Sequence, residues 1–268
     1  MNNNYDQFSG SWAIILGGSS GFGFAAVKKL AAHGMNIATL YRETAITEKP
    51  LKKEFAAIAQ NHGVLIKPYN LNAADEHARK LFIADFKQET SGKNNVKLLL
   101  HSIARGNLKP LVAADQQSEL SMHDLQVTTY AMATSILDWA RALLKEELFE
   151  ADARVIGLTS DGAYKYWEGY AAVAVAKASL ESLATYMAVD LGKHGIKTNL
   201  IQAGITATSS LKKIPGSDKL IKHAAENNPL GRITEPADVA NVIYLLCTKE
   251  AAWINGSLIH VDGGEHCR

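Results

Sequence analysis

The sequence predicts an α/β protein built on a doubly wound parallel sheet of about seven strands, with helices on both faces. Three observations lead there. Short apolar runs of strand length alternate with segments of helical spacing along most of the chain. A glycine-rich turn, Gly17 to Gly23, joins the first run directly to the first helix. No repeat, linker or low-complexity tract breaks the alternation, so residues 1–268 are expected to form a single domain.

The totals narrow the class. Hydrophobic residues make up 47% of the 268, enough for a sizeable core. A net charge of +1 argues against a chain that holds nucleic acid by its phosphates. The two cysteines, Cys247 and Cys267, form no CxxC pair, which rules out a disulfide framework or a zinc knuckle, and no metal site is expected. Met1 to Asp6 lacks the pattern of a secretion signal, and no apolar run reaches the length that spans a bilayer. A soluble cytoplasmic protein with no membrane partner is the expectation.

Trp12 to Leu16 reads as the first strand and Phe24 to Gly34 as an amphipathic helix closed by glycine. Strand, glycine turn and helix in succession are the setting of a Rossmann-type dinucleotide fingerprint, here spaced G-x-x-x-G-x-G. Glycines let the backbone approach a pyrophosphate, which rests on free N–H groups at the helix start. Gly17, Ser19, Ser20, Gly21, Phe22 and Gly23 are therefore the candidate cradle. The second strand, Asn36 to Tyr41, ends on Arg42, with Glu43 after it. An arginine there can clamp a ribose 2′-phosphate, which favours NADPH over NADH as cofactor.

A helix through Phe55 to Ile58 leads to a third strand, Val64 to Tyr69. Asn70 and Leu71 close it, placed to meet an adenine edge through side-chain amide and backbone. Ala78 to Gln88 has helical spacing, and Val96 to Leu100 is the fourth strand. It runs into His101-Ser102-Ile103-Ala104, whose Ser102, Ile103 and Ala104 are further cofactor candidates. One long helix is expected from about Asp124 to Glu147, then a strand from Arg154 to Leu158. Right-handed crossovers bring Gly17, Arg42, Asn70, Ser102 and Ser160 to the carboxyl edge of one sheet, where ligands of such folds sit.

Ile196 to Ile201 is the sixth strand, and Gly204, Thr206 and Thr208 beyond it complete the cofactor set. The region of about 205–230 looks like a lid. Its Lys212, Lys213, Lys219 and Lys222 read either as solvated charges or as a landing strip for an acidic carrier. A helix opens at Pro236, and Ser257 to Val261 is the last strand before Asp262-Gly263-Gly264.

The chemistry concentrates in one stretch. Tyr170 and Lys177 lie seven positions apart on an alanine-rich helix, about two turns, so phenol and ammonium share a face. A lysine cation beside a phenol is expected to favour the phenolate and bring the hydroxyl toward a working acid.

With the glycine turn, the Tyr170/Lys177 pair, the segment Asn199 to Thr208 and the ending Val261 to Gly264, the chain resembles the short-chain dehydrogenase/reductase family. Within it the sequence is most similar to the divergent enoyl-acyl-carrier-protein reductases. Where ordinary members carry the tyrosine, four residues before the lysine, Val173 stands, and Tyr170 gives the spacing Y-x6-K. His101-Ser102-Ile103 is similar to the His-Ser-Ile of enoyl reductases, and Thr128 stands in for the usual asparagine. Ser160 holds a place that is a second tyrosine in many enoyl reductases and the catalytic serine in ordinary members. The glycine turn itself is closer to ordinary members.

The resemblance implies NADPH-dependent reduction of the double bond of an enoyl thioester, free or on an acyl carrier protein, by a homotetramer. Hydride would go to the β-carbon while Tyr170 meets the enolate oxygen and Lys177 holds the nicotinamide ribose. Ser160 with Tyr164, Tyr166 or Tyr170 would instead serve a carbonyl or 3-oxoacyl reductase or an alcohol dehydrogenase. A non-catalytic NAD(P)-binding protein is a third reading.

Overall fold

Alternation of side chains along each strand decides which residues meet which helices. The computed structural model describes residues 7–268 apart from 93, 116–117 and 215; the amino-terminal hexapeptide read for a signal, and Pro215 of the lid region, lie outside them. Seven strands form one sheet in the order β3-β2-β1-β4-β5-β6-β7, and every neighbouring pair is parallel. They are β1 (Trp12–Leu16), β2 (Asn36–Tyr41), β3 (Ile66–Asn70), β4 (Val96–His101), β5 (Phe149–Thr159), β6 (Ile196–Ala203) and β7 (Leu258–Val261).

On β1, Trp12, Ile14 and Leu16 join one core, while Ala13 and Ile15 join the other. The first core takes in Phe82 and Phe86 of α3 (Glu76–Glu89), Ile136 and Trp139 of α5 (Ser135–Lys145), and α6 (Ala171–Gly192). The second takes in Val27 and Leu30 of α1 (Gly21–Ala31), Phe55 of α2 (Ala45–His62), and Val239 and Ile243 of α8 (Pro236–Cys247). The doubly wound α/β expectation therefore holds, with a core on each face.

Two expectations need correcting. The helix read from about 124 to 147 is α4 (Met122–Thr129) and α5, joined by a π turn, Tyr130–Thr134. His101, 1% exposed, meets Ser135 Oγ through Nε2 at 2.9 Å, and Ser135 Oγ donates to Ala131 O at 3.3 Å, which fixes the turn. No bilayer-length apolar run was expected, yet α6, with 22 residues, is long and apolar enough by length and composition. Val173, Ala176, Leu180, Ala184, Met187 and Leu191 explain the apolarity: at helical spacing, they bury its inner face against the sheet. The lid region contains α7 (Ser217–Asn227), whose neighbour Gly216 carries a left-handed φ of 75°.

Candidate active site

Gly17 follows β1, Arg42 follows β2, Asn70 ends β3, and Ser102, Ser160 and Gly204 follow β4, β5 and β6, so all six occupy the carboxyl edge. A cleft of about 870 Å³ bordered by Ser11, Lys97, Glu150 and Tyr244 lies at the other edge and holds none of them.

The glycine turn is packed so tightly that side chains would not fit. A Cβ on Gly17 would come within 2.4 Å of Ser102 O, and one on Gly23 within 2.1 Å of Gly17 O. Gly17 has a left-handed φ of 94°, and its N–H donates to Leu40 O. Ser20 makes no side-chain cap for α1 and the first turn contains no acid, so the leading N–H groups are left for an anion. Ser19, Phe22 and Gly23 ride on the same turn. Thr208 packs across it, its Cγ2 3.5 Å from the Cβ position of Gly21. Thr206 is buried, and its hydroxyl donates to Gly204 O. Ser102 N–H donates to Leu16 O, tying the β4 exit, with Ile103 and Ala104, to β1.

Arg42 is exposed and has no hydrogen-bond or ion-pair partner among the described residues. Asn70 has a role besides the expected one. Its side chain accepts from Glu43 N at 3.0 Å and donates to Glu43 O at 2.9 Å, so the carboxamide braces the β2 exit in addition to any contact with a ligand.

At the end of β5 two side chains converge from α6. The Tyr170 hydroxyl lies 3.3 Å from Ser160 Oγ, and Lys177 Nζ donates to Leu158 O at 2.7 Å. Leu158 and Ser160 are two residues apart, so both groups reach the same strand end. Tyr170 is the N-cap residue just ahead of α6, whereas Lys177 is inside it. A Cβ on Gly162 would lie 2.5 Å from Tyr170 Cε1, so that glycine makes room for the ring. Gly169, with φ of 71° and packed on Leu108 O, sets the approach into Tyr170.

The expected lowering of the phenol by lysine is not what this geometry produces. Burial raises the Tyr170 hydroxyl above its usual value, with the Ser160 bond partly opposing. Lys177 is pushed down to about 8 by burial, with Glu181 opposing. Tyr170 is therefore a protonated donor near neutral pH.

Tyr164 also departs from expectation. It is 71% exposed, and its hydroxyl donates to Glu181, which accepts from Thr159 Oγ1 at 2.6 Å as well. Tyr166 is 90% exposed. Neither hydroxyl joins Ser160, which leaves Tyr170 as the tyrosine of the group. Thr128 is buried and accepts from Asn107 N at 3.0 Å, closing the loop after β4. Sequence reading missed Gly162, Glu181 and the cluster His260, Asp262 and His266; only the last left a spacing signal, H-x-D-x3-H.

The family described as Enoyl-(Acyl carrier protein) reductase matches residues 17–266. The chain is a member of the enoyl-(acyl carrier protein) reductase family of short-chain dehydrogenases/reductases, a family of oxidoreductases. It is 28% identical over 263 residues to the NADH-dependent enoyl-[acyl-carrier-protein] reductase FabI of Aquifex aeolicus, covering 96% of this chain and 92% of the relative. The NADPH-dependent FabI of Staphylococcus aureus strain MRSA252 is 27% identical, covering 91% of each. Among solved structures, that of the Aquifex aeolicus reductase superposes with a TM-score of 0.81 at 26% identity, covering 98% of both chains. This family member shares that fold over the matched length.

Proposed function

We propose that the protein reduces the 2,3 double bond of an enoyl thioester with NADPH. The observation that carries the reading is that the Tyr170 hydroxyl, bonded to Ser160 Oγ, and the buried Lys177, bonded to Leu158 O, both reach the carboxyl end of β5. When bound, the reduced nicotinamide supplies a hydride to the β-carbon. Negative charge then collects on the thioester oxygen, some ångströms from that carbon. Tyr170 donates its hydroxyl hydrogen to that oxygen, a stabilisation that counts because it acts where charge develops. Ser160 keeps the ring and hydroxyl in place.

The residues present fit a dinucleotide. The glycine turn leaves no room for a Cβ at Gly17 or Gly23, and the uncapped start of α1 offers N–H groups to a pyrophosphate. Lys177 would hold the nicotinamide ribose, and the unpartnered Arg42 would hold a 2′-phosphate, which supports NADPH although the relatives include users of each cofactor. Thr208, in the segment after β6, packs against the glycine turn at Gly21, and Gly204 and Thr206 of the same segment would complete the cofactor set. One domain, assembly as a homotetramer, an acyl carrier protein as the donor of the acyl group, a place in fatty acid biosynthesis and a cytoplasmic setting complete the proposal.

The test is NADPH oxidation with a crotonyl thioester, wild type against Tyr170→Phe. Loss of an acid typically costs about 10²–10⁴ in rate, and an unimpaired variant would sink the assignment. The Ser160–Tyr170 hydrogen bond also favours a second reading, a 3-oxoacyl reductase. Turnover of a 3-oxoacyl thioester with none of the crotonyl substrate would establish that one instead.

A further inference from the structure

At the carboxyl end of β7, packed against Gly204, one cluster has metal-ligand chemistry and no part assigned to it in the reaction above. His260 of β7, with Asp262 and His266 just beyond, brings one ligand atom each within 4.8 Å of the others. Cys267 adds a sulfur 3.4 Å from His266 Nε2. The buried Asp262 carboxylate meets His266 Nδ1 at 2.6 Å and accepts from the backbone N–H groups of Gly264 and His266 at 2.9 and 3.0 Å. A carboxylate on Nδ1 fixes the tautomer that leaves Nε2 bare, the orienting role seen around zinc-bound histidines.

Tetrahedral zinc, with Zn–N of about 2.0–2.1 Å and Zn–S of about 2.3 Å, separates nitrogen and sulfur by about 3.5 Å. His266 Nε2 and Cys267 Sγ already stand at 3.4 Å. The His260 ring stacks on His266, with centroids 3.7 Å apart and planes 15° from parallel. Parallel rings do not aim at one point, so His260, which is exposed, turns about its own torsions to complete the set. A thiol donating to an imidazole would account for Cys267 and His266 alone. The second histidine, His260, is what an ion explains in addition.

We propose that His260, His266 and Cys267, with Asp262 orienting His266, bind one zinc ion per chain. Imidazole and thiolate select zinc over magnesium or calcium. The same turn holds the lid region: Glu265 accepts from Ile205 N at 3.2 Å, and Asn228 Nδ2 donates to Asp262 O at 2.7 Å. A zinc ion there braces both ends of that segment.

The test uses the full chain, reduced and stripped with a chelator, then titrated with zinc chloride by calorimetry while thiol reagent follows Cys267; the other cysteine, Cys247, is buried. Expected are one zinc per chain, protection of Cys267, no response to magnesium, and affinity weakened about tenfold or more by His260→Gln or His266→Gln. Both histidines and Cys267 are exposed, so these variants should fold. The proposal is overturned if wild type binds zinc no tighter than the His260→Gln/His266→Gln double variant, or if bound zinc leaves Cys267 fully reactive.

Discussion

Lys177 and Tyr170 divide the charge at the site unequally. The phenol stays protonated while burial brings the ammonium down to about 8. The cation is complete below that value and lost above it. Because the folded value lies below the unfolded one of about 10.4, folding disfavours the charged form, and this group adds stability as pH rises between the two. If the charge serves cofactor binding, kcat/KM should fall as pH climbs through about 8. A profile level to about pH 9 would remove the cation from the account. Arg42→Ala should lower the preference for NADPH over NADH roughly 10- to 150-fold, as a lost charge-assisted bond of about 1.5–3 kcal/mol implies. Equal ratios in wild type and variant would refute the 2′-phosphate clamp. Both residues were legible in the sequence because their positions follow from strand ends and helical spacing. The partners were not: that Asn70 binds Glu43, or Tyr164 binds Glu181, depends on which loops meet in space.

At the scale of elements, the turn between β5 and α6 decides where the phenol sits. Gly162→Ala would place a methyl 2.5 Å from the Tyr170 ring, too close without movement. The expected outcome is a fall in kcat of roughly 10²-fold, in keeping with about an ångström of misplacement, while the unfolding midpoint stays near that of wild type. Wild-type kcat in a folded Gly162→Ala protein would show that the ring position does not matter. The strands were readable here because buried parallel strands are short continuous apolar runs, as Leu98, Leu99 and Leu100 illustrate. The π turn was not readable. Tyr130 to Thr134 looks like ordinary helix in one dimension, and its cause, His101 against Ser135, comes from a strand about thirty residues earlier.

Across the whole molecule, chemistry and stability occupy opposite edges of one sheet. Arg154, fully buried in β5, donates to Leu246 O and Thr248 O and pairs with Asp152, which Lys97 and Lys197 also contact. Burial opposes ionisation of Asp152, but bonds from Arg154, Lys197 and Lys97 outweigh it and hold the carboxyl well below its usual range. Its contribution is therefore present above the unfolded value of about 3.9 and lost as pH falls toward the folded one. Asp152→Asn should flatten the acid limb of a stability–pH curve, and an unchanged limb would exclude this group. Arg154→Ala should cost about 2–5 kcal/mol in urea unfolding, because it strands the buried carbonyls of Leu246 and Thr248, each worth about 1–3 kcal/mol; a cost near zero would contradict that.

The sheet has two rims, β3 and β7. Pro68 sits midway along β3, so that rim lacks one amide hydrogen, and an incoming strand finds a gap in the ladder where it would need a donor. Growth of the sheet by strand recruitment is thus discouraged on the β3 flank. Strand-to-strand pairing between copies of this chain is thereby disfavoured at β3 relative to β7.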